Sequence, residues 1–122
     1  MRYYENPEKT SENRLPQRSY YIPKNEGAYT LLNGTWRFKY YKSDWDVTET
    51  ITDWDQIDVP SCWQVRGYEN PNYTNAQYPH PVDMPYVPTD NPCGVYEREF
   101  EIANTDNRTY FVMEGIASAG KL

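Results

Sequence analysis

The 122-residue sequence has few of the residue types that most enzyme and metal sites use. It holds one histidine, His80, two cysteines, Cys62 and Cys93, and no glycine-rich phosphate-binding motif. None of these residues has a partner at the spacing of a zinc site or of a serine-type catalytic triad. Ser61 does not belong to a nucleophile-elbow motif. The residues themselves therefore predict no catalytic group and no metal site.

Basic residues and long apolar runs are also scarce. Twelve lysines and arginines stand against 18 acidic residues, so the net charge is −6. Such a surface lacks the positive charge that binding to nucleic acid requires. No run of about 18 apolar residues could span a bilayer, and the N-terminal residues contain no signal-peptide core. We therefore expect a cytoplasmic protein without nucleic-acid or membrane partners, in which Cys62 and Cys93 stay thiols unless they form a disulfide across the segment between them.

No segment has the 3.6-residue apolar period of an amphipathic helix, but several have the alternation of β-strands. The sequence predicts strands at residues 35–41, 56–59, 95–102 and 108–116. In the first strand, aromatic residues alternate with basic ones. The last strand is apolar on both faces, which is typical of a central strand. Residues 43–55 are expected to form a loop with one helical turn.

Seven of the ten prolines lie in residues 60–96, which we call the proline-rich loop. Proline fixes φ and has no backbone N–H, so neither a helix nor a central strand is expected to run through this segment. The loop is also rich in aromatic residues, which order a loop and contact the CH faces and hydroxyls of sugars. These are Trp63, Tyr68, Tyr73, Tyr78, Tyr86 and Tyr96. We interpret the loop as ordered and functional.

Amide side chains lie among these aromatic residues and are candidates for binding sugar hydroxyls. They are Asn70, Asn72, Asn75, Gln77 and Asn91. Asparagine also caps turns, which is the simpler interpretation for most of them. Asn75, which lies between two tyrosines, is the candidate substrate-binding residue. By contrast, Glu97, Glu99 and Glu101 alternate with apolar positions, so we interpret them as a solvent-facing side of a strand and not as paired catalytic carboxylates.

The predicted strands indicate an all-β fold of the sandwich type. Residues 1–30 are polar and contain three prolines and scattered tyrosines, so we expect an extended arm that lies across a surface. Residues 31–122 then form the domain. Four strands are too few to close a sandwich, and we therefore expect this domain to be incomplete.

A series of short motifs runs through almost the whole chain. They are Y-E-N-P at 4–7, N-R-L-P at 13–16, L-N-G-T-W-R-F at 32–38, V-P-S-C-W-Q-V-R-G-Y at 59–68, Y-T-N at 73–75, Y-P at 78–79, P-Y-V-P at 85–88 and N-P-C-G-V-Y at 91–96. In this order they resemble the N-terminal sugar-binding domain of family 2 glycoside hydrolases, and within that family the large bacterial β-galactosidases. Residues 4–7 are similar to the W-E-N-P of that branch.

This resemblance implies a partial jelly-roll domain that precedes an immunoglobulin-like domain and a catalytic (β/α)₈ barrel. It implies that Asn75 helps to bind the galactosyl unit, whereas both catalytic glutamates belong to the barrel and have no counterpart here. The complete enzymes commonly use Mg and Na, held mainly by the other parts, so the resemblance assigns no cofactor or metal site to this chain.

The function implied is that of an N-terminal domain or fragment of a retaining β-galactosidase that hydrolyses terminal β-D-galactosides such as lactose. Its partners would be the sugar and the remaining domains, in a homo-oligomer to which the arm contributes contacts. Two alternatives stay open. The chain could act as a stand-alone, non-catalytic carbohydrate-binding module, or as a fragment that complements a galactosidase lacking its own N-terminus.

Overall fold

The chain folds around a small antiparallel sheet. The computed structural model describes residues 3–17, 19, 24, 29–71, 82–102, 108–117 and 119–122. The strands within these residues are β1 (Gly34–Tyr41), β2 (Asp55–Val59) and β3 (Cys93–Glu97). Short 3-10 turns lie at Tyr3–Glu5, Asp44–Asp46 and Trp63–Arg66. The prediction of an all-β fold is confirmed, and the turn at Asp44–Asp46 is the helical turn expected between the first two strands.

Strand β1 is the centre of the sheet, with β2 on one side and β3 on the other, both antiparallel to it. Trp36 pairs with Ile57 of β2, and Phe38 pairs with Tyr96 of β3. Because side chains alternate between the two faces of a strand, one face of β1, which we call the aromatic face, carries Trp36, Phe38 and Tyr40, and the other carries Arg37, Lys39 and Tyr41. The alternation in the sequence thus sets which face of the sheet is covered.

The core lies on the aromatic face. Phe38 is completely buried and Ile57 is 2% exposed. The Phe38 ring lies 4.8 Å from the ring of Tyr68, edge-on, and 4.8 Å from the ring of Tyr96, measured between centroids. Edge-to-face and tilted arrangements at this distance are the favoured geometries of aromatic pairs. The sheet is therefore covered on this side by residues of the proline-rich loop.

The other face of the sheet carries ion pairs. The guanidinium of Arg37 lies 2.9 Å from the carboxylate of Glu99 and also pairs with Glu97. Lys39 pairs with Asp53, and this hydrogen bond holds the pKa of the Asp53 carboxyl below its ordinary value. Because these groups reach solvent, such pairs contribute little to stability. The expectation that the glutamates after residue 96 face solvent is confirmed, since Glu97, Glu99 and Glu101 are all exposed.

The strand predicted at 95–102 is shifted toward the N-terminus. β3 begins at Cys93, within the proline-rich loop, and ends at Glu97. The next residue, Arg98, turns its guanidinium back to the start of β1, where Nη1 donates to the carbonyl oxygens of Leu32 at 2.8 Å and Asn33 at 3.0 Å. Arg98 lies between Tyr96 and Phe100 on the apolar side of the predicted strand, and it follows directly after the last residue of β3.

The prediction of a strand at 108–116 is wrong. Residues 108–117 are described and contain no strand. Tyr110 and Val112 are 57% and 58% exposed. A strand forms only where another strand supplies backbone partners, and none of the described strands pairs with these residues. Across the residues that the structure describes, no helix has the length and apolar character needed to cross a bilayer.

Candidate functional site

The proline-rich loop is fixed at its start by a 3-10 turn that packs on the sheet. The turn Trp63–Arg66 ends at Gly67, whose φ of 88° lies in the left-handed region that glycine adopts readily. This turn reverses the chain so that Trp63 and Tyr68 both lie over the aromatic face. The Trp63 ring is 6.2 Å from Phe38 and 5.9 Å from Tyr40.

Gly94 allows Trp63 to approach the sheet this closely. It lies in β3 opposite Tyr40, on the aromatic face. A Cβ at this position would lie 2.5 Å from Cζ3 of Trp63 and 2.8 Å from Cε2 of Phe38. These separations are far below ordinary van der Waals contact. The indole therefore occupies the space that any other side chain at position 94 would need.

Glu69 fixes the chain just before it enters the centre of the loop. Its Oε2 accepts hydrogen bonds from Nε1 of Trp63 and from Nε2 of Gln64, both at 3.1 Å. A carboxylate that accepts two such bonds holds its donors in a defined orientation. Burial raises the pKa of the Tyr40 hydroxyl, and the negative charge of Glu69 raises it further. Glu69 and its two donors therefore hold the first part of the loop. The Tyr40 hydroxyl stays neutral and able to donate a hydrogen bond.

The last part of the loop is fixed by the turn at Asp44–Asp46. The backbone N–H of Asp44 donates to the carbonyl oxygen of Asn91 at 2.9 Å. The hydroxyl of Ser43 donates to the carbonyl oxygen of Thr89 at 2.6 Å and caps the turn by accepting from the N–H of Trp45. The turn after β1 therefore holds residues 89–91 against the end of the sheet.

The N-terminal arm supplies the remaining contacts to this part of the loop. Glu5 accepts a hydrogen bond through Oε1 from the backbone N–H of Val87 at 3.2 Å. The hydroxyl of Tyr4 donates to Oδ2 of Asp44 and accepts from Nδ2 of Asn91. The first described turn of the arm thus binds both the loop and the turn that holds the loop.

Some of the site residues predicted from the sequence are among the described residues, and others lie outside them. The candidate Asn75 lies outside the described residues, as do Asn72, Gln77, His80, Tyr73 and Tyr78. Asn70 is exposed, and Asn91 joins the arm to the turn at Asp44. Asn91 therefore holds parts of the fold together through its side chain and its carbonyl oxygen. Sequence reasoning missed Glu5 and Glu69 as loop-fixing residues, although Glu5 lies in the Y-E-N-P motif.

The described residues offer no metal centre and no paired cysteines. Among them, no three His, Cys, Asp or Glu side chains lie close enough together to hold a metal ion. Cys62 is exposed and Cys93 is half-buried, and both are free thiols. Burial raises the pKa of the Cys93 thiol, and the charge of Asp44 raises it further.

A family model and several known proteins each match most of this chain. The family model described as "Glycosyl hydrolases family 2, sugar binding domain" matches residues 29–122. A β-galactosidase of Actinobacillus pleuropneumoniae is 35% identical over 95% of this chain and 13% of its own length. That of Staphylococcus xylosus is 37% identical over 98% of this chain and 14% of its own length. That of Kluyveromyces lactis is 43% identical over 80% and 10% respectively. The chain therefore spans only 10 to 14% of the length of these relatives.

Proposed function

The chain belongs to the sugar-binding domain family of glycosyl hydrolases family 2, and from this we propose that it forms one wall of the galactoside site of a β-galactosidase. In this proposal the three-stranded sheet is part of a jelly roll that further strands complete. The remaining domains of the enzyme supply the catalytic residues. The substrate class is terminal β-D-galactosides such as lactose, and the complete enzyme is a cytoplasmic homo-oligomer.

The fixing of the proline-rich loop at both ends carries this proposal. Glu69 and its two donors hold the residues before the segment 72–81, and the arm and the Asp44–Asp46 turn hold residues 87–91 after it. The segment between these anchors contains Asn75. An amide that donates and accepts hydrogen bonds can pair with two sugar hydroxyls, provided that its backbone is held in place. We propose this role for Asn75.

The acidic side chains with described contacts support a binding role over a catalytic one. Retaining glycoside hydrolysis needs two carboxyl groups about 5 to 5.5 Å apart, one of which attacks the sugar while the other transfers protons. Here Glu69 holds Trp63 and Gln64, Asp53 pairs with Lys39, and Glu97 pairs with Arg37. Each of these carboxylates already serves the fold. The nucleophile and the acid are therefore expected in other domains.

A turnover assay tests this division of labour. The purified 122-residue chain is incubated with a chromogenic β-galactoside, beside a complete β-galactosidase that contains the chain. We expect turnover from the complete enzyme and none from the chain alone. Turnover by the chain that is abolished by changing one of its own residues would refute the proposal, because the chemistry would then lie within these residues.

Exposed apolar side chains near the C-terminal end of the chain favour contacts with the rest of the enzyme. They are Phe100, Ile102, Tyr110, Phe111, Val112, Met113 and Ile116. Exposed apolar side chains that follow each other this closely in the sequence are available for contacts with another domain. We propose that this stretch packs against the remaining domains. Mixing the chain with a β-galactosidase that lacks the matching residues should give assembly and restored turnover, and failure of both would contradict this part of the proposal.

A further inference from the structure

Among the charged residues that the structure describes, Glu5 is the only one that is buried. It is 7% exposed, although it lies in an arm whose neighbouring residues are largely exposed. Removing a carboxylate from water is costly unless hydrogen bonds replace the lost hydration. A buried carboxylate in a polar arm therefore indicates that the contacts it makes are specific.

Glu5 contacts the proline-rich loop at Val87, 82 residues away in sequence. Within P-Y-V-P at 85–88, the prolines carry no N–H, so only Tyr86 and Val87 can donate. The N–H of Tyr86 donates to the carbonyl oxygen of Asp83 at 2.9 Å and closes a turn. The N–H of Val87 donates to Glu5. The arm thus satisfies the donor that the loop does not pair internally.

The contacts of Tyr4 place the arm on the same part of the loop a second time. Its hydroxyl accepts from Asn91 and donates to Asp44, the residue whose N–H holds the Asn91 carbonyl. Successive residues of the arm therefore hold the loop at 87 and at 91. In the sequence, residues 87–91 follow the segment 72–81, which contains Asn75.

We propose that Glu5 is a positioning residue for the sugar site: its carboxylate fixes Val87 and so holds the part of the proline-rich loop at residues 82–92. The inference rests on the proposed galactoside function. Glu5 does not touch the sugar. Its loss should weaken the binding of both substrate and transition state, which raises KM and leaves kcat nearly unchanged.

The test uses a complete β-galactosidase that contains this chain, with four variants. Glu5→Ala removes the acceptor, Glu5→Asp shortens its reach by one carbon, and Glu5→Gln keeps an oxygen that can accept from Val87. Glu8→Ala is the control, because Glu8 is exposed in the same arm. Two experiments are made: hydrogen exchange is measured in peptides covering residues 82–92, and steady-state kinetics give KM and kcat for a nitrophenyl galactoside.

We expect Glu5→Ala and Glu5→Asp to speed exchange at 82–92 and to raise KM about fivefold, the effect of losing one hydrogen bond of ordinary strength. Glu5→Gln and Glu8→Ala should behave like the wild type. If Glu5→Ala folds poorly, Glu5→Asp gives the same comparison with the charge retained.

Three results would overturn the proposal. Unchanged exchange in Glu5→Ala and Glu5→Asp would show that Glu5 does not hold the loop, and faster exchange with unchanged KM would show that the loop's path does not affect the sugar site. A Glu5→Gln variant as impaired as Glu5→Ala would show that the acceptor oxygen is not what matters. If the wild-type enzyme fails to hydrolyse galactosides while exchange still responds to Glu5, the contact stands and the sugar-site role falls with the proposed function.

Discussion

Replacing Gly94 by alanine tests whether Trp63 lies directly against the sheet. The added Cβ would lie 2.5 Å from Cζ3 and 2.7 Å from Cε3 of Trp63, and 2.8 Å from Cε2 of Phe38. The backbone conformation itself does not require glycine, because Gly94 is not among the glycines with positive φ. Any effect of the substitution therefore reports the contact with the two rings.

The expected cost follows from how far the rings must move. To reach an ordinary contact of 3.4 Å, the indole must shift by about 0.9 Å. Phe38 has no exposed surface and packs against Tyr68 and Tyr96, so it cannot move aside freely. Adding one carbon to a well-packed site typically costs about 1 to 3 kcal/mol. We expect Gly94→Ala to lower the free energy of unfolding by about 2 kcal/mol.

Urea denaturation of the 122-residue chain, followed by tryptophan fluorescence, measures this cost. A loss of about 2 kcal/mol lowers the urea midpoint by roughly 1 M with an unchanged slope. Gly115→Ala is the matched control, because a Cβ at Gly115 meets nothing within 4 Å. It should leave the midpoint nearly unchanged. Equal midpoints for Gly94→Ala and Gly115→Ala would refute the placement of Trp63 on the sheet and, with it, the anchoring of the loop's first turn.

Three further predictions concern the core, the thiols and the polar face. Phe38→Ala should lower the free energy of unfolding by about 3 to 5 kcal/mol, because Phe38 is fully buried. The control Val65→Ala, at a side chain 73% exposed, should change it by less than about 0.5 kcal/mol. Similar urea midpoints for the two variants would contradict the placement of Phe38 in the core. Iodoacetamide should modify exposed Cys62 before half-buried Cys93, whose raised pKa leaves less thiolate at neutral pH, and mass spectrometry showing Cys93 modified first would refute that order. NMR titration should find the pKa of the Asp53 carboxyl lowered by its pairing with Lys39. The stability that this pair contributes is present above the ordinary pKa of aspartate and is lost as the pH falls through the lowered pKa. An Asp53 titration unaffected by Lys39→Met would contradict the pairing.

Local patterns in the sequence predicted the centre of the fold. The alternation of aromatic and basic residues identified β1 and the face that it buries, and Pro60 marked where β2 ends. These signals are local, because side chains two residues apart share a face and proline acts on its own backbone. The same reasoning failed at residues 108–116, where strand-like residues have no strand beside them among the described residues.

The contacts that shape the candidate site could not be predicted in the same way. Glu5 and Val87 are 82 residues apart, and nothing near either residue indicates that they meet. Gly94 also gave no local signal, because its requirement comes from Trp63 in another part of the chain. The proposed role of Asn75 rests on the Y-T-N motif that contains it, since Asn75 lies outside the described residues. Pairings of this kind depend on the assembled fold, whereas strand patterns depend on neighbouring residues.

Galactoside kinetics of Asn75→Ala and Asn72→Ala in a complete β-galactosidase that contains this chain test the central claim most directly. Both asparagines lie in the same short segment, so a general loss of loop structure should affect them alike. We predict that Asn75→Ala lowers kcat/KM about tenfold, which corresponds to about 1.4 kcal/mol, while Asn72→Ala lowers it by less than about twofold. Equal effects of the two substitutions would contradict a sugar-binding role for Asn75 and would indicate that both residues cap turns of the proline-rich loop.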